Sequence, residues 1–104
     1  MARRVVEETV LETRDAALCR RAFRFRRRGD DRRAMLLLRE AAYENEHDAK
    51  IWTLYGVQCA RVGRADVAQK ALSHAVWLRE RQNETRKAFV TRGLLSRLVP
   101  DVAA

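Results

Sequence analysis

Residues that make tight turns are scarce in this sequence. Its 104 residues include one proline and four glycines, whereas a β-sandwich or barrel needs many turns between short strands. The scarcity therefore argues against an all-β fold. Cysteine is scarce too: Cys19 and Cys59 are 40 residues apart, and neither has a second cysteine at metal-binding or redox spacing. We expect two reduced thiols rather than a disulfide, because no secretion signal is recognisable.

Long apolar runs are also missing. No stretch approaches the roughly 18 apolar residues that indicate a membrane span. Near the amino terminus, Glu7 and Glu8 interrupt the apolar stretch that a secretion signal needs. The sequence therefore predicts a soluble, cytoplasmic protein with no membrane partner.

Positive charge, in contrast, is abundant. The 22 lysines and arginines exceed the 14 acidic residues, so the net charge is 22 − 14 = +8. The apolar fraction of 47% is too high for a disordered chain. The length suits one small domain.

A repeat of 34 residues organises the middle of the chain. A shift by 34 places Gly29 on Gly63 and Ala34 on Ala68 without any gap. The other matched pairs are Leu18 and Trp52, Ala22 and Gly56, Phe25 and Cys59, Leu38 and Leu72, and Ala41 and Ala75. Because these positions are mostly small or apolar, the two units share a packing pattern.

Each unit is expected to form two helices joined by a tight turn. Gly29 and Gly63 suit the left-handed residue that ends a helix. Asp30 and Asp31 follow the first of them, where carboxylates favour the start of the next helix. Small residues on facing helices allow close approach, and large residues such as Leu72 fill the space between them.

The second unit carries a recognisable motif of large and small residues at helical spacing. Trp52, Tyr55-Gly56 and Cys59 are followed by Ala68 and Leu72. With these residues, and their counterparts 34 positions earlier, the sequence resembles the tetratricopeptide repeat family over residues 15–82. The resemblance implies an all-α fold: a short right-handed α-solenoid of antiparallel helix pairs, with about five helices. The sequence departs from the family at Arg21, where a large apolar residue is usual, and at Glu46 and Glu80, where proline is common.

We divide the chain into four parts. Residues 1–14 form an N-terminal arm or an extension of the first helix, residues 15–48 and 49–82 form the two repeat-like units, and residues 83–104 form a capping helix and tail. The sequence does not decide between an arm and an extension of the first helix.

The capping helix is aligned by the same period. Phe89 falls 34 residues after Tyr55, which predicts a packed position, and Pro100 ends the helix. Gly93 lies inside this helix, where glycine is unfavourable. A close backbone contact is the expected reason for it.

A binding groove is implied by the resemblance, since the first helix of each unit lines a concave face in the family. Carried over by register, the partner-binding residues are Arg20, Phe23, Arg26, Arg27, Lys50, Leu54, Val57, Arg61 and Lys87, with Glu84 and Thr91 beside Lys87. This mostly positive set favours an acidic peptide or a carboxy terminus of another protein. The family's clamp for chaperone carboxy termini uses paired asparagines, which Arg20 and Leu54 replace here, so that clamp is not expected.

A second interface is predicted from two aromatic residues. Tyr43 and Trp77 are 34 residues apart, at the outer ends of the second helices. We favour packing of each ring against the following helix. The alternative is an exposed aromatic pair for a partner or for a second copy of the chain.

No catalytic, metal or cofactor site is expected. His47 and His74 are isolated, the four glycines are too dispersed for a phosphate loop, and Asp30 and Asp31 are explained as helix caps. The sequence therefore predicts a non-enzymatic adaptor or scaffold.

Two alternative functions stay open. Residues 20–33 hold eight arginines and two aspartates, which suggests salt-sensitive, sequence-blind nucleic-acid binding, although Phe25 is expected in the core rather than free to stack on bases. Two repeats are also fewer than the roughly three usually needed for stability, so a self-associating structural subunit, such as a dimer, is the other alternative.

Overall fold

The computed structural model describes residues 12–100, which form an all-α structure. Five helices occur in this range: α1 Arg14–Arg27, α2 Asp31–Glu44, α3 Ala49–Arg61, α4 Ala65–Arg81 and α5 Thr85–Leu98. The same range contains no strand, so the predicted fold class and helix number are confirmed. None of these helices is long and apolar enough to cross a membrane. Residues 1–11 of the predicted arm lie outside the described part, and α1 begins at Arg14 behind the capping side chain of Thr13.

Helices α1, α3 and α4 end in the same way. A residue with positive φ follows α1, α3 and α4: Gly29 (83°), Gly63 (82°) and Asn83 (60°). The next backbone N–H then donates to a carbonyl five residues earlier, as from Asp30 to Phe25 at 2.9 Å. This pattern satisfies carbonyls that a helix end otherwise leaves unpaired. The roles predicted for Gly29 and Gly63 are confirmed.

Consecutive helices pack against each other in antiparallel pairs. Arg14 at the start of α1 pairs with Glu44 at the end of α2, 3.0 Å away. Asp31 at the start of α2 lies 3.2 Å from Arg61 at the end of α3. Helix α5 packs on α4 and also contacts α3. The chain is therefore a sequential stack in which each hairpin covers the apolar face of its neighbour.

The core combines alanines at the helix contacts with larger side chains between them. Ala41, Ala68 and Ala75 have no exposed surface, and Leu72 is fully buried beside them. At Gly56 an added Cβ would lie 2.7 Å from Cγ of Leu72, closer than side chains tolerate. This contact confirms the predicted close approach of α3 and α4, which only a glycine permits.

The predicted register of the capping helix is wrong. Phe89 is 75% exposed and Val90 is 58% exposed, whereas Ala88 and Thr91 are the buried residues of α5. The reason is the length of α4, which has 17 residues against 14 in α2. The loop after α4 has three residues against four after α2, so α5 starts 36 residues after α3, at Thr85 instead of residue 83, and Phe89 does not take the position of Tyr55.

The predicted close contact at Gly93 is also wrong, and this allows a test. No atom lies within 4 Å of a Cβ built there, and the residue is in the interior of α5. We expect Gly93→Ala to raise the free energy of unfolding by about 0.5–1 kcal/mol, since alanine loses less conformational freedom in a helix. Urea denaturation would measure the change.

The matched control is Gly29→Ala, which also has open space but a φ of 83°. We expect this variant to lose stability, because alanine is strained in the left-handed region. A gain at Gly29, or a loss at Gly93, would contradict these backbone assignments.

Candidate functional site

A first basic cavity lies between α1 and α3. It has a volume of about 480 Å³ and is lined by Phe23, Arg26, Arg27 and Arg61. All four were predicted as partner-binding residues, and the structure brings them together from two helices. No carboxylate of the described residues lines this cavity, so three cations surround an aromatic side chain.

Arg61 is held in place by a polar contact between α2 and α3. Its Nε donates to Oδ1 of Asp31 at 3.2 Å. The buried Gln58 donates from Nε2 to the same oxygen at 3.1 Å and to the Asp31 backbone carbonyl at 2.9 Å. These bonds, that of Gln58 above all, lower the pKa of the Asp31 carboxyl. The guanidinium of Arg61 therefore has a fixed acceptor at the edge of the cavity.

The same contact corrects the interpretation of the two adjacent aspartates. Asp30 does cap α2, because its side chain accepts from the backbone N–H of Arg33 at 3.1 Å. Asp31 instead bonds to Gln58 and Arg61 of α3. Gln58 was missed by the sequence reasoning, although a polar residue on the otherwise apolar buried face of α3 was the available signal.

A second basic cavity lies between α3 and α5, with one side chain from α4. It measures about 470 Å³, and its cations are Lys50, Arg79, Arg86 and Lys87. Val90 and Leu94 supply its apolar surface, and Thr53 and Thr91 complete the lining, which contains no carboxylate of the described residues. Lys50 and Lys87 were predicted. Arg79 and Arg86 were not, because one lies on a second helix and the other depends on the true register of α5.

Arg79 connects the second cavity to a larger neighbour. Its Nε is buried and has no hydrogen-bond partner among the described residues. Lys50, Arg79 and Lys87 also line an adjacent cavity of about 730 Å³, whose other lining includes Glu44, Glu46, Asp48 and Glu84. Lys87 pairs with Glu84 at 3.0 Å. The three cations thus lie between two cavities. Within residues 12–100, no carboxylate lines the second basic cavity, whereas carboxylates line the larger neighbour.

The remaining predicted groove residues line neither basic cavity. Arg20 is paired with Glu12, with its Nη2 2.6 Å from the carboxylate. Leu54 packs against the core, and Val57 is partly buried. Arg20 is therefore ion-paired away from both basic cavities, and Leu54 serves packing.

Tyr43 and Trp77, the predicted aromatic pair, differ in which helix their rings contact. Tyr43 is 59% exposed but stacks on Trp52 of the following helix, with ring centroids 5.8 Å apart. Trp77 is 51% exposed and contacts its own helix: it stacks on His74 at 5.9 Å, and the Arg81 guanidinium lies 5.0 Å from its centroid. Tyr43 thus packs partly against the following helix, as we favoured, whereas Trp77 packs on its own helix and keeps a large exposed surface.

His74 is hydrogen-bonded and packed between aromatic rings, although no partner for it was apparent in the sequence. Its ring lies 4.8 Å from that of Trp52, and its Nε2 is 2.9 Å from the Glu46 backbone oxygen. These contacts connect the α2–α3 turn to α4, so the histidine has a packing role. No cluster of three metal-binding side chains occurs within residues 12–100.

The two thiols are not joined in a disulfide. Cys19 and Cys59 are both free, as predicted, and burial raises the pKa of each thiol. A raised pKa reduces the thiolate fraction on which nucleophilic chemistry depends.

Comparisons with protein-family models, with curated proteins and with solved structures found no match for this chain.

Proposed function

We propose that this chain is a non-enzymatic module that binds an acidic segment of another protein. The observation that carries the proposal is the pair of basic cavities, which are lined by three and four cations and by no carboxylate of the described residues. One cation of each cavity, Arg61 and Lys87, also pairs with a carboxylate outside the lining, and the other five have no ion pair among the described residues. Apolar side chains, Phe23 in one cavity and Val90 and Leu94 in the other, accompany the charges. A partner with carboxylates next to apolar residues would satisfy both kinds of contact.

Helix α3 connects the two cavities along one face. Lys50 and Thr53 line the second cavity, Arg61 lines the first, and Val57 falls between them at helical spacing. Eleven residues of helix separate Lys50 from Arg61, a rise of roughly 16 Å. An extended segment of about five residues covers this distance. We therefore infer that the partner carries acidic groups at both ends of such a segment.

The resemblance to the tetratricopeptide family supports this surface. In that family the first helices of successive units form the concave wall, and here the cavities lie between α1, α3 and α5, the corresponding helices. A right-handed solenoid with its concave face at these helices is part of the proposal.

The test uses a labelled seven-residue peptide with two glutamates at each end and leucine and alanine between them. We expect Arg27→Glu combined with Lys50→Glu to weaken its binding about tenfold or more, because one cation of each cavity becomes repulsive. Fluorescence anisotropy would measure the affinity, and circular dichroism would confirm folding.

A control variant separates the groove from net charge. Arg32→Glu combined with Arg97→Glu changes the charge equally, but both residues are exposed and line neither basic cavity. We expect this variant to bind like the parent, and a lysine version of the peptide to bind to neither. Equal losses in the two variants, or no binding of the acidic peptide to the parent, would overturn the proposal.

A further inference from the structure

A third basic cluster lies on α1, outside the two cavities of the groove. Arg21, Arg24 and Arg28, with Phe25, line a separate cavity of about 220 Å³. The first groove cavity uses Phe23, Arg26 and Arg27 of the same helix together with Arg61 of α3. The two sets do not share a residue. We call Arg21, Arg24 and Arg28 the outer row.

The outer row is straight and regularly spaced. Its members follow each other by three and four residues, which places them on one face of α1. Arg28 is the C-cap and retains right-handed helical φ and ψ, so it continues the line. The rise between the first and last is roughly 10 Å. The three arginines thus place positive charge along one face of α1.

No member of the outer row has an ion-pair partner among residues 12–100, and all three are exposed. Five other arginines of the described residues are ion-paired, among them Arg14 with Glu44 and Arg20 with Glu12. Like charges three and four residues apart on a helix repel each other. The carbonyl end of α1 compensates this repulsion only within its last turn. A bound polyanion would remove it along the whole row.

The surroundings of the row favour phosphate over a peptide. A guanidinium binds a phosphate or a carboxylate through two parallel hydrogen bonds, so the apolar surroundings decide between the two. Phe25 packs against the core, and the Arg33 guanidinium lies 5.6 Å from its ring centroid, so it is not a free ring on which a base could stack. Phe25 is the apolar side chain of this cavity, and because it is partly buried, packed on the core and covered by Arg33, it offers little surface to hold a peptide or to enter a lipid surface. What remains is contact with a dense, regular array of phosphates.

We propose that the outer row binds the phosphate backbone of a nucleic-acid duplex without reading its sequence. A duplex carries about one negative charge per 1.7 Å of its axis, the highest density among these candidates. Single strands gain affinity from aromatic stacking, which the row does not provide. This second activity is independent of the peptide groove, because the two surfaces use different residues.

The test measures the salt dependence of binding to a labelled DNA duplex of about 20 base pairs, between about 25 and 200 mM salt. The variant replaces Arg21, Arg24 and Arg28 with glutamine, a good helix former. Each lost phosphate contact reduces the slope of log K against log salt by about 0.9, so three contacts reduce it by roughly 2.7. At the lowest salt we expect an affinity loss of about tenfold or more.

The control replaces Arg64, Lys70 and Arg97 with glutamine, which gives the same net charge of 8 − 3 = +5. These three residues are exposed and lie outside the outer row and both groove cavities. We expect its slope to equal that of the parent. Equal losses in both triple variants would show an effect of net charge alone and would overturn the proposal.

Further arms distinguish other polyanions. Tighter binding to a single strand of the same length, to polyglutamate, or to phosphatidylserine vesicles than to the duplex would overturn the proposal, as would no binding of the parent at the lowest salt. If the triple variant fails to fold by circular dichroism, Arg24→Gln alone is expected to reduce the slope by about 0.9. An unchanged slope in that variant would also overturn it.

Discussion

Replacing Leu72 with alanine is expected to lower the free energy of unfolding by about 2–5 kcal/mol. Leu72 is fully buried where α4 meets α3, and its removal leaves a cavity that the rigid helix pair fills only in part. A small domain has a total stability of about 5–15 kcal/mol, so the loss is a large share of it. The midpoint and slope of urea denaturation would measure the effect.

An exposed leucine provides the matched control. Leu36 lies on α2 with nearly half of its surface exposed. We expect Leu36→Ala to change the free energy of unfolding by about 0.5 kcal/mol or less. Similar losses at Leu36 and Leu72 would show that the packing of α3 on α4 does not carry the stability of this domain.

Gly56→Ala is expected to destabilise the protein by about 1–2 kcal/mol, although alanine is the better helix former. The new Cβ would lie 2.7 Å from Cγ and 2.9 Å from Cδ2 of Leu72, and 3.3 Å from Cβ of Ala71. Leu72 is buried on all sides and cannot move away without disturbing its neighbours. Thermal and urea denaturation would measure the loss.

The two substitutions are expected to depend on each other. In a Leu72→Ala background the nearest atoms to the new Cβ are absent, so Gly56→Ala becomes neutral or stabilising there. A double-mutant cycle would give this coupling directly. Additive effects would mean that the contact between Gly56 and Leu72 does not limit the approach of the helices.

The first two helical hairpins were predictable because their signals are local. Gly29 and Gly63 mark helix ends by a conformation that glycine adopts most readily, and the α3–α4 contact follows from a glycine facing a leucine. The start of α5 was not predictable in this way. The turn before it is formed by Asn83, which also adopts positive φ but is a weaker signal than glycine.

The first basic cavity agrees with the register implied by the family resemblance. Arg26, Arg27 and Arg61 were named from that register, and they line one cavity. Arg79 enters the second cavity from α4, which depends on how two hairpins pack rather than on any single helix. Gln58 likewise gains its role only through Asp31, a residue 27 positions earlier.

The residue at which α5 starts decides which of its charged residues corresponds to Lys50 of α3. If the 34-residue period continued beyond the second unit, the residue of α5 that corresponds to Lys50 of α3 would be Glu84, which is negatively charged. The observed spacing of 36 residues puts Arg86 there instead. Arg86, and not Glu84, therefore completes the lining of the second basic cavity. A difference of two residues between the starts of two helices thus reverses the sign of the charge at an equivalent position.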